Sequence, residues 1–98
     1  MTPVVWTEHV LVQLEAIRDH ISKVSPVYAD HTIARIFARQ AQIARFPESG
    51  RRVPEADDPA IREVIEWPYR VIYRVHPDRV EILAAVHGRR GDLGSLSP

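Results

Sequence analysis

The tightest constraint on this chain is the stretch YRVIYRVHPDRVEILAAVHGRR, residues 69–90, in which two β-branched and aromatic runs meet at Pro77-Asp78. Proline fixes the first central position of a tight turn and aspartate suits the second, so the two runs read as one antiparallel hairpin. Counting outward from the turn pairs His76 with Arg79. The same register sets Val75 opposite Val80, Tyr73 opposite Ile82, Val71 opposite Ala84 and Tyr69 opposite Val86, all on one face. The other face receives Arg74 opposite Glu81, Ile72 opposite Leu83 and Arg70 opposite Ala85, with His87 diagonal to Arg70. A wholly apolar sheet face must be covered, so the rest of the chain has to supply a layer against it. The arginine-bearing face is expected to stay at least partly open.

The cover is legible upstream. Val10, Leu14, Ile17, Ile21 and Val24 recur at steps of four and three, one apolar stripe on a helix of about five turns. Thr7 stands where an N-cap belongs and Glu8 in the first turn. The pair Ser25-Pro26 marks a second helix start, because proline's missing N–H is not needed there. Its stripe is Ala29, Ile33, Ile36, Phe37, Ile43 and Ala44, and Pro47 and Gly50 end it. The β-branched and aromatic PVVW at residues 3–6 precedes this helical hairpin as a strand. After it, residues 51–58 hold Pro54 and run into an Asp-Asp-Pro turn signal at 57–59, which predicts loop or edge strand. A further strand covers Ile61 to Glu66, and either Glu63 or Val64 fits its core face. The expected fold is therefore α+β: an N-terminal strand, an antiparallel helical hairpin, then an antiparallel sheet packed on the helices.

Ninety-eight residues suit one domain spanning 1–98, with the glycine- and serine-rich tail 91–98 expected to fray. Thirteen basic residues balance thirteen acidic ones, so the whole molecule exerts no general pull on nucleic acid or an anionic membrane. Twelve of the thirteen bases are arginine, whose planar fork favours defined contacts with carboxylates and phosphates. The absence of cysteine excludes a disulfide framework and a thiolate site. Histidines do not replace it: His9 and His20 share a helix face but lie about 16 Å apart along it, and no metal or cofactor is expected. Neither a secretion signal nor an apolar run of membrane-spanning length is visible, so the expected compartment is the cytoplasm and no membrane partner is expected.

One cluster stands out. The hairpin's end gathers Arg70, His87, Arg89 and Arg90, and the preceding loop offers Glu55. Cations for a developing negative charge, with a carboxylate or imidazole to move protons, are the parts of phosphate chemistry. Composition favours the plainer reading, in which Arg70 pairs with Glu55 or Glu63 and His87 packs at a sheet edge, since structural ion networks imitate active sites. Arg74 has Glu81 opposite and is expected to form an ordinary surface ion pair. Trp6, Trp67, Tyr69 and Tyr73 read as core or edge packing rather than a base-stacking platform.

The combination of WTE near the start, GRRVPE, IREV, YRVIYRV and VEILAAVHGRR resembles the RelE/ParE superfamily of toxins from bacterial type II toxin–antitoxin modules, also called plasmid stabilisation proteins, over about residues 3–90. The resemblance implies a curved antiparallel sheet around two helices. It also implies growth inhibition, relieved by a cognate antitoxin in a hetero-oligomeric complex. Superfamily members either cleave messenger RNA in the ribosomal A site or poison DNA gyrase. By position, Arg70 falls where the nucleases place a phosphate-stabilising arginine, Arg90 where they place a second basic or catalytic group, and Glu55 on the general base of one branch. On the nuclease alternative the catalytic set is thus Arg70, Arg90, Glu55 and His87; on the gyrase reading Arg70, His87, Arg89 and Arg90 form a target-binding surface. Assisting lysines of one nuclease branch are missing, since Lys23 is the only lysine, and so is a tyrosine after the last strand. With the neutral charge, these departures lean toward a ParE-like gyrase inhibitor over a ribosome-dependent endoribonuclease.

Overall fold

The computed structural model describes residues 1–88. Five strands and two helices follow in the order β1 (Val4–Trp6), α1 (Glu8–Ser22), α2 (Pro26–Arg45), β2 (Arg51–Arg52), β3 (Ile61–Glu66), β4 (Tyr69–Val75) and β5 (Val80–His87). They form one sheet with strand order β1-β5-β4-β3-β2. All neighbours are antiparallel except β1, which runs parallel to β5. The sheet expected after the helical hairpin is antiparallel, and β1, whose pairing the sequence left open, joins its edge and makes the whole sheet mixed. Parallel pairing needs a crossover, and the helical hairpin is long enough to supply it.

Both helix starts follow from their caps. The Thr7 hydroxyl accepts from Val10 N (3.3 Å) and donates to the Ile82 carbonyl (2.8 Å), so one side chain starts α1 and ties it to β5. Ser25 accepts from Tyr28 N (3.1 Å), with Pro26 opening α2. The α1 stripe buries Val10 and Leu14 and packs Ile17 and Ile21 against the core. It ends earlier than expected: the helix stops at Ser22, and Val24 lies beyond it, exposed. On α2, Ala29, Ile36, Ile43 and Ala44 are buried as expected, whereas Phe37 is partly exposed and lies against the Trp6 ring, centroids 4.6 Å apart. Thr32 is buried in the same face, its hydroxyl satisfied by the Tyr28 carbonyl at 2.8 Å. A donor of that kind hides a polar residue within an apolar stripe.

The helices cover one sheet face, where Val64, Tyr69, Val71, Tyr73, Val80, Ile82 and Ala85 meet Val10, Leu14, Ile36 and Ile43. Burial of each such aliphatic side chain is worth about 1.5–3 kcal/mol. At the far end of the sheet the Tyr73 hydroxyl donates to the Pro47 carbonyl (2.8 Å) and accepts from Gly50 N (2.9 Å). Gly50 is needed there, since a β-carbon would stand 2.6 Å from the Glu63 carbonyl oxygen and collide with the Tyr73 hydroxyl.

The second face differs from expectation. It carries its own small core of Val53, Ile61, Ile72, Ala84 and Val86, with Ala56 and Leu83 packed against it. The segment between β2 and β3 folds back as a strap across this face.

The hairpin register holds near the turn and then changes. Val75 pairs with Val80, Arg74 with Glu81 and Tyr73 with Ile82, and His76 N donates to the Arg79 carbonyl at 2.8 Å. Beyond Tyr73 an irregularity absorbs Leu83, so Ile72 pairs with Ala84, Val71 with Ala85, Arg70 with Val86 and Tyr69 with His87. A bulge places two residues of one strand opposite one of the other and leaves later residues one place out of step. The pairings Val71–Ala84, Ile72–Leu83, Arg70–Ala85 and Tyr69–Val86 are corrected accordingly. β3 settles its own facing, with Val64 in the helix-side core and Glu63 buried on the strap side. Among the described residues no helix is long and apolar enough to cross a membrane.

Candidate functional site

Arg70 projects from β4 to the strap side, and its alternation with Tyr69 and Val71 requires that direction. Only 4% of the residue is exposed. Its Nε donates to Glu63 Oε1 at 2.6 Å, while Nη1 and Nη2 each donate to one oxygen of Glu55 at 2.8 Å. Glu63 arrives from β3, where its strand neighbour Ile72 flanks Arg70 on the same face. Its other oxygen accepts from Arg51 on β2. Glu55 comes from the strap, whose tight turn is closed by Ala56 N donating to the Val53 carbonyl at 3.2 Å. The result is a chain of alternating charges, Arg51, Glu63, Arg70 and Glu55.

Its electrostatics follow from that order. Hydrogen bonding to Arg70 holds the Glu55 carboxyl down to about 2, against the smaller opposing effect of desolvation. Arg70 is pushed above its usual value, first by its bonds to Glu55, although burial opposes the shift. A guanidinium so enclosed is costly to bury unless it is paired and hydrogen-bonded, and Glu63, itself without exposed side-chain surface, provides the fixed half of that pairing.

Arg74 departs from expectation. Glu81 is its strand neighbour, but Arg74 Nη1 bonds Asp58 Oδ2 on the strap at 2.8 Å, and Glu81 takes His76 instead. Asp58 lies below its normal range because its carboxylate accepts from Ala60 N and then from Arg74.

Of the residues singled out in the sequence, Arg70 and Glu55 are brought together. His87 is not with them. The Leu83 bulge turns it to the helix side, where its ring meets Tyr69 edge-on, centroids 5.9 Å apart at 77°. There it lines a groove of about 490 Å³ with Gln13, Ile17 and His20 of α1 and Tyr69. The expected diagonal approach of His87 to Arg70 is thus replaced by placement on the opposite face. Arg89, Arg90 and the tail 91–98 lie outside the described residues. Glu63, named from sequence as one of two candidate partners of Arg70, joins the cluster, and Arg51, which was not assigned to it, completes it. Pairing outward from Trp67-Pro68 would have settled the facing of Glu63, since Glu66 opposite Tyr69 leads directly to Glu63 opposite Ile72. Tyr69 and Tyr73 pack in the core, Trp6 is partly buried against it, and Trp67 is largely exposed at the β3–β4 turn. Among the described residues no three His, Asp or Glu side chains stand together as a metal site.

Residues 4–91 match the family described as ParE toxin of type II toxin-antitoxin system, parDE. The chain belongs to the ParE toxin family. It is similar to Toxin RelE2 of Caulobacter vibrioides, 35% identical over 91 residues that span 92% of this chain and 99% of that protein. Putative toxin Y4kP of Sinorhizobium fredii is 32% identical over 87 residues, covering 87% of this chain and 86% of the relative. A solved structure titled Chromosomal ParDE TA system from P. aeruginosa shares the fold with a TM-score of 0.72 at 23% identity, over 89% of this chain and 96% of that one. This ParE-family chain is accordingly a type II toxin within the RelE/ParE superfamily.

Proposed function

We propose that this toxin inhibits growth by binding DNA gyrase through protein contacts, in the manner associated with ParE, and that a cognate antitoxin holds it in a hetero-oligomer until released. The observation that carries the reading is the closure of Arg70: its fork is filled by Glu55 and its Nε by Glu63. A phosphate-stabilising arginine has to present donors to the developing charge, and here a carboxylate stands in front of them. As a general base Glu55 is badly matched to neutral pH, being held to about 2 where a poised base lies near the working pH. His87, the other proton carrier considered, faces the helices rather than Arg70. A formal charge of zero adds to this, since tight hold on ribosomal RNA draws on many basic contacts.

Purified toxin added to gyrase from its own host tests the proposal, with supercoiling and transcript 5′ ends followed together during induction in cells. Loss of supercoiling with unchanged transcript ends is expected. New cleavage between codon positions on translated messages, with gyrase unaffected, would overturn the reading in favour of a ribosome-dependent endoribonuclease.

A further inference from the structure

Most arginines among the described residues stand within ion-pair distance of a carboxylate, from Arg18 with Asp30 on the helices to Arg79 with Asp78 at the hairpin turn. Arg45, Arg52 and Arg62 form no such pair among the described residues, and they gather around the loop 46–50. Arg45 closes α2 immediately before that loop and is exposed. Arg62 reaches the loop from β3, its Nη1 donating to the Glu48 and Gly50 carbonyls at 3.2 and 2.9 Å. Arg52 lies on the edge strand β2 as the strand partner of Arg62, so two like charges stand opposite each other. The field of Arg52 reaches Asp58, but that carboxylate is bonded to Arg74. Arg45 suits the carbonyl end of α2, and Arg62 ties down the loop. Arg52 makes no side-chain hydrogen bond or ion pair among the described residues. The loop itself is held firmly: the Tyr73 hydroxyl bonds Pro47 and Gly50, Gln42 Nε2 donates to Ser49 Oγ at 3.0 Å, and Ser49 N donates to the Phe46 carbonyl at 2.9 Å. Arg62 is thus oriented through Nη1 alone, with Nε and Nη2 left to donate elsewhere.

We infer that Arg52 and Arg62, flanked by Arg45, contact the backbone phosphates of duplex DNA. The inference rests on the gyrase reading for the source of that DNA, because a protein docked on gyrase lies beside the duplex on which gyrase works. An acidic protein surface fits the patch less well. Protein interfaces draw their affinity from an apolar centre that excludes water, and this loop offers only Phe46 as a large exposed apolar side chain. A duplex needs only donors at fixed positions, each arginine releasing counterions from a phosphate. Three contacts make a weak and salt-sensitive hold that adds to protein docking rather than replacing it, in keeping with a formal net charge of zero. Glu48, the one acid on the loop, is exposed and subtracts from that hold.

The test uses the full chain without gyrase. Fluorescence anisotropy of a short labelled DNA duplex is recorded across a salt series for wild type, Arg52→Gln, Arg62→Gln and Glu48→Gln, with unlabelled duplex, RNA of the same length and polyglutamate as competitors. Wild type is expected to bind in low salt. Loss of either arginine should weaken binding about threefold or more and lower the slope of log affinity against log salt by about 0.9. Glu48→Gln should bind more tightly than wild type. Because Arg52 makes no bond within the fold, its variant keeps the test decisive if Arg62→Gln loosens the loop. No binding by wild type in low salt, an unchanged salt slope in folded Arg52→Gln, or better competition by RNA or polyglutamate than by unlabelled duplex would each overturn the inference. A failure here leaves inhibition of supercoiling standing, whereas a toxin that binds duplex and does not inhibit gyrase keeps the phosphate contact and loses the gyrase reading.

Discussion

The two faces of the sheet are built from different materials. On the helix side, packing is aliphatic and aromatic, and its polar groups are closed one at a time, as with Thr32 and the Tyr73 hydroxyl. On the strap side, a smaller apolar cluster shares the surface with the Arg51–Glu63–Arg70–Glu55 chain and the Arg74–Asp58 pair. Hydrophobic burial is non-directional and tolerates modest rearrangement, whereas a buried ion chain is stable only while each charge keeps its neighbour. The difference teaches that the helix side carries the fold, while the strap side holds a set of charges in defined positions at a cost the fold has to meet.

Breaking the ion chain at its most buried member should have the largest effect. Glu63→Ala takes away the buried carboxylate that Arg70 Nε and Arg51 share and is expected to lower stability by about 3–5 kcal/mol in urea unfolding. Replacing both partners, Glu63→Leu with Arg70→Met, should recover most of that loss, since two apolar groups need no pairing. If the double variant stays as unstable as the single one, the strap side is not set apart by its charges. Tyr73→Phe probes the helix side in the same way: it leaves Gly50 N without its acceptor and should cost about 1–3 kcal/mol by the same measurement.

Acid should separate the faces without mutation. Glu55 titrates at about 2 when folded against 4.5 ordinarily, so its contribution is complete above about 4.5 and is lost as pH falls toward 2. Asp58, also lowered, acts in the same direction. Stability measured from pH 6 to 2 should fall through that window, and Glu55→Gln should flatten the fall. The smallest effect is expected from Arg74→Met, where a partly exposed pair is removed; a change of no more than about 1 kcal/mol in thermal unfolding would mark it as an ordinary surface bridge.

Much of the fold was readable from local signals because each was independently strong. Thr7 and Ser25 cap the helices as read, Pro77-Asp78 makes its turn, and Ile61 to Glu66 is a strand. Beyond Tyr73 the hairpin was not readable, because nothing in EILAAVH marks Leu83 as the extra residue: alternation of Ile, Leu, Ala and Val looks alike in either phase. That single residue moved His87 to the other face and divided the candidate site. Pairing of Arg70 with Glu55 or Glu63 was one of two readings, and the structure shows both carboxylates engaged at once. The partner of Arg74 was missed because strand register sets which residues are opposite, while long side chains choose among all charges within reach, including those of a strap whose path had no periodic signal.

The parallel pairing of β1 with β5 has a consequence in time. Val4–Trp6 are synthesised well before their strand partners, Val80–Ile82, with both helices and three strands made in between. Local helix formation is fast, and sheet closure between distant segments is slow because the loop entropy comes before the reward. Through most of translation, therefore, the helical hairpin exists without the surface it is shaped to cover. A nascent chain in that state is exposed to chaperones, to proteases and to any binding partner made nearby, and the synthesis of β5 decides when the interval ends.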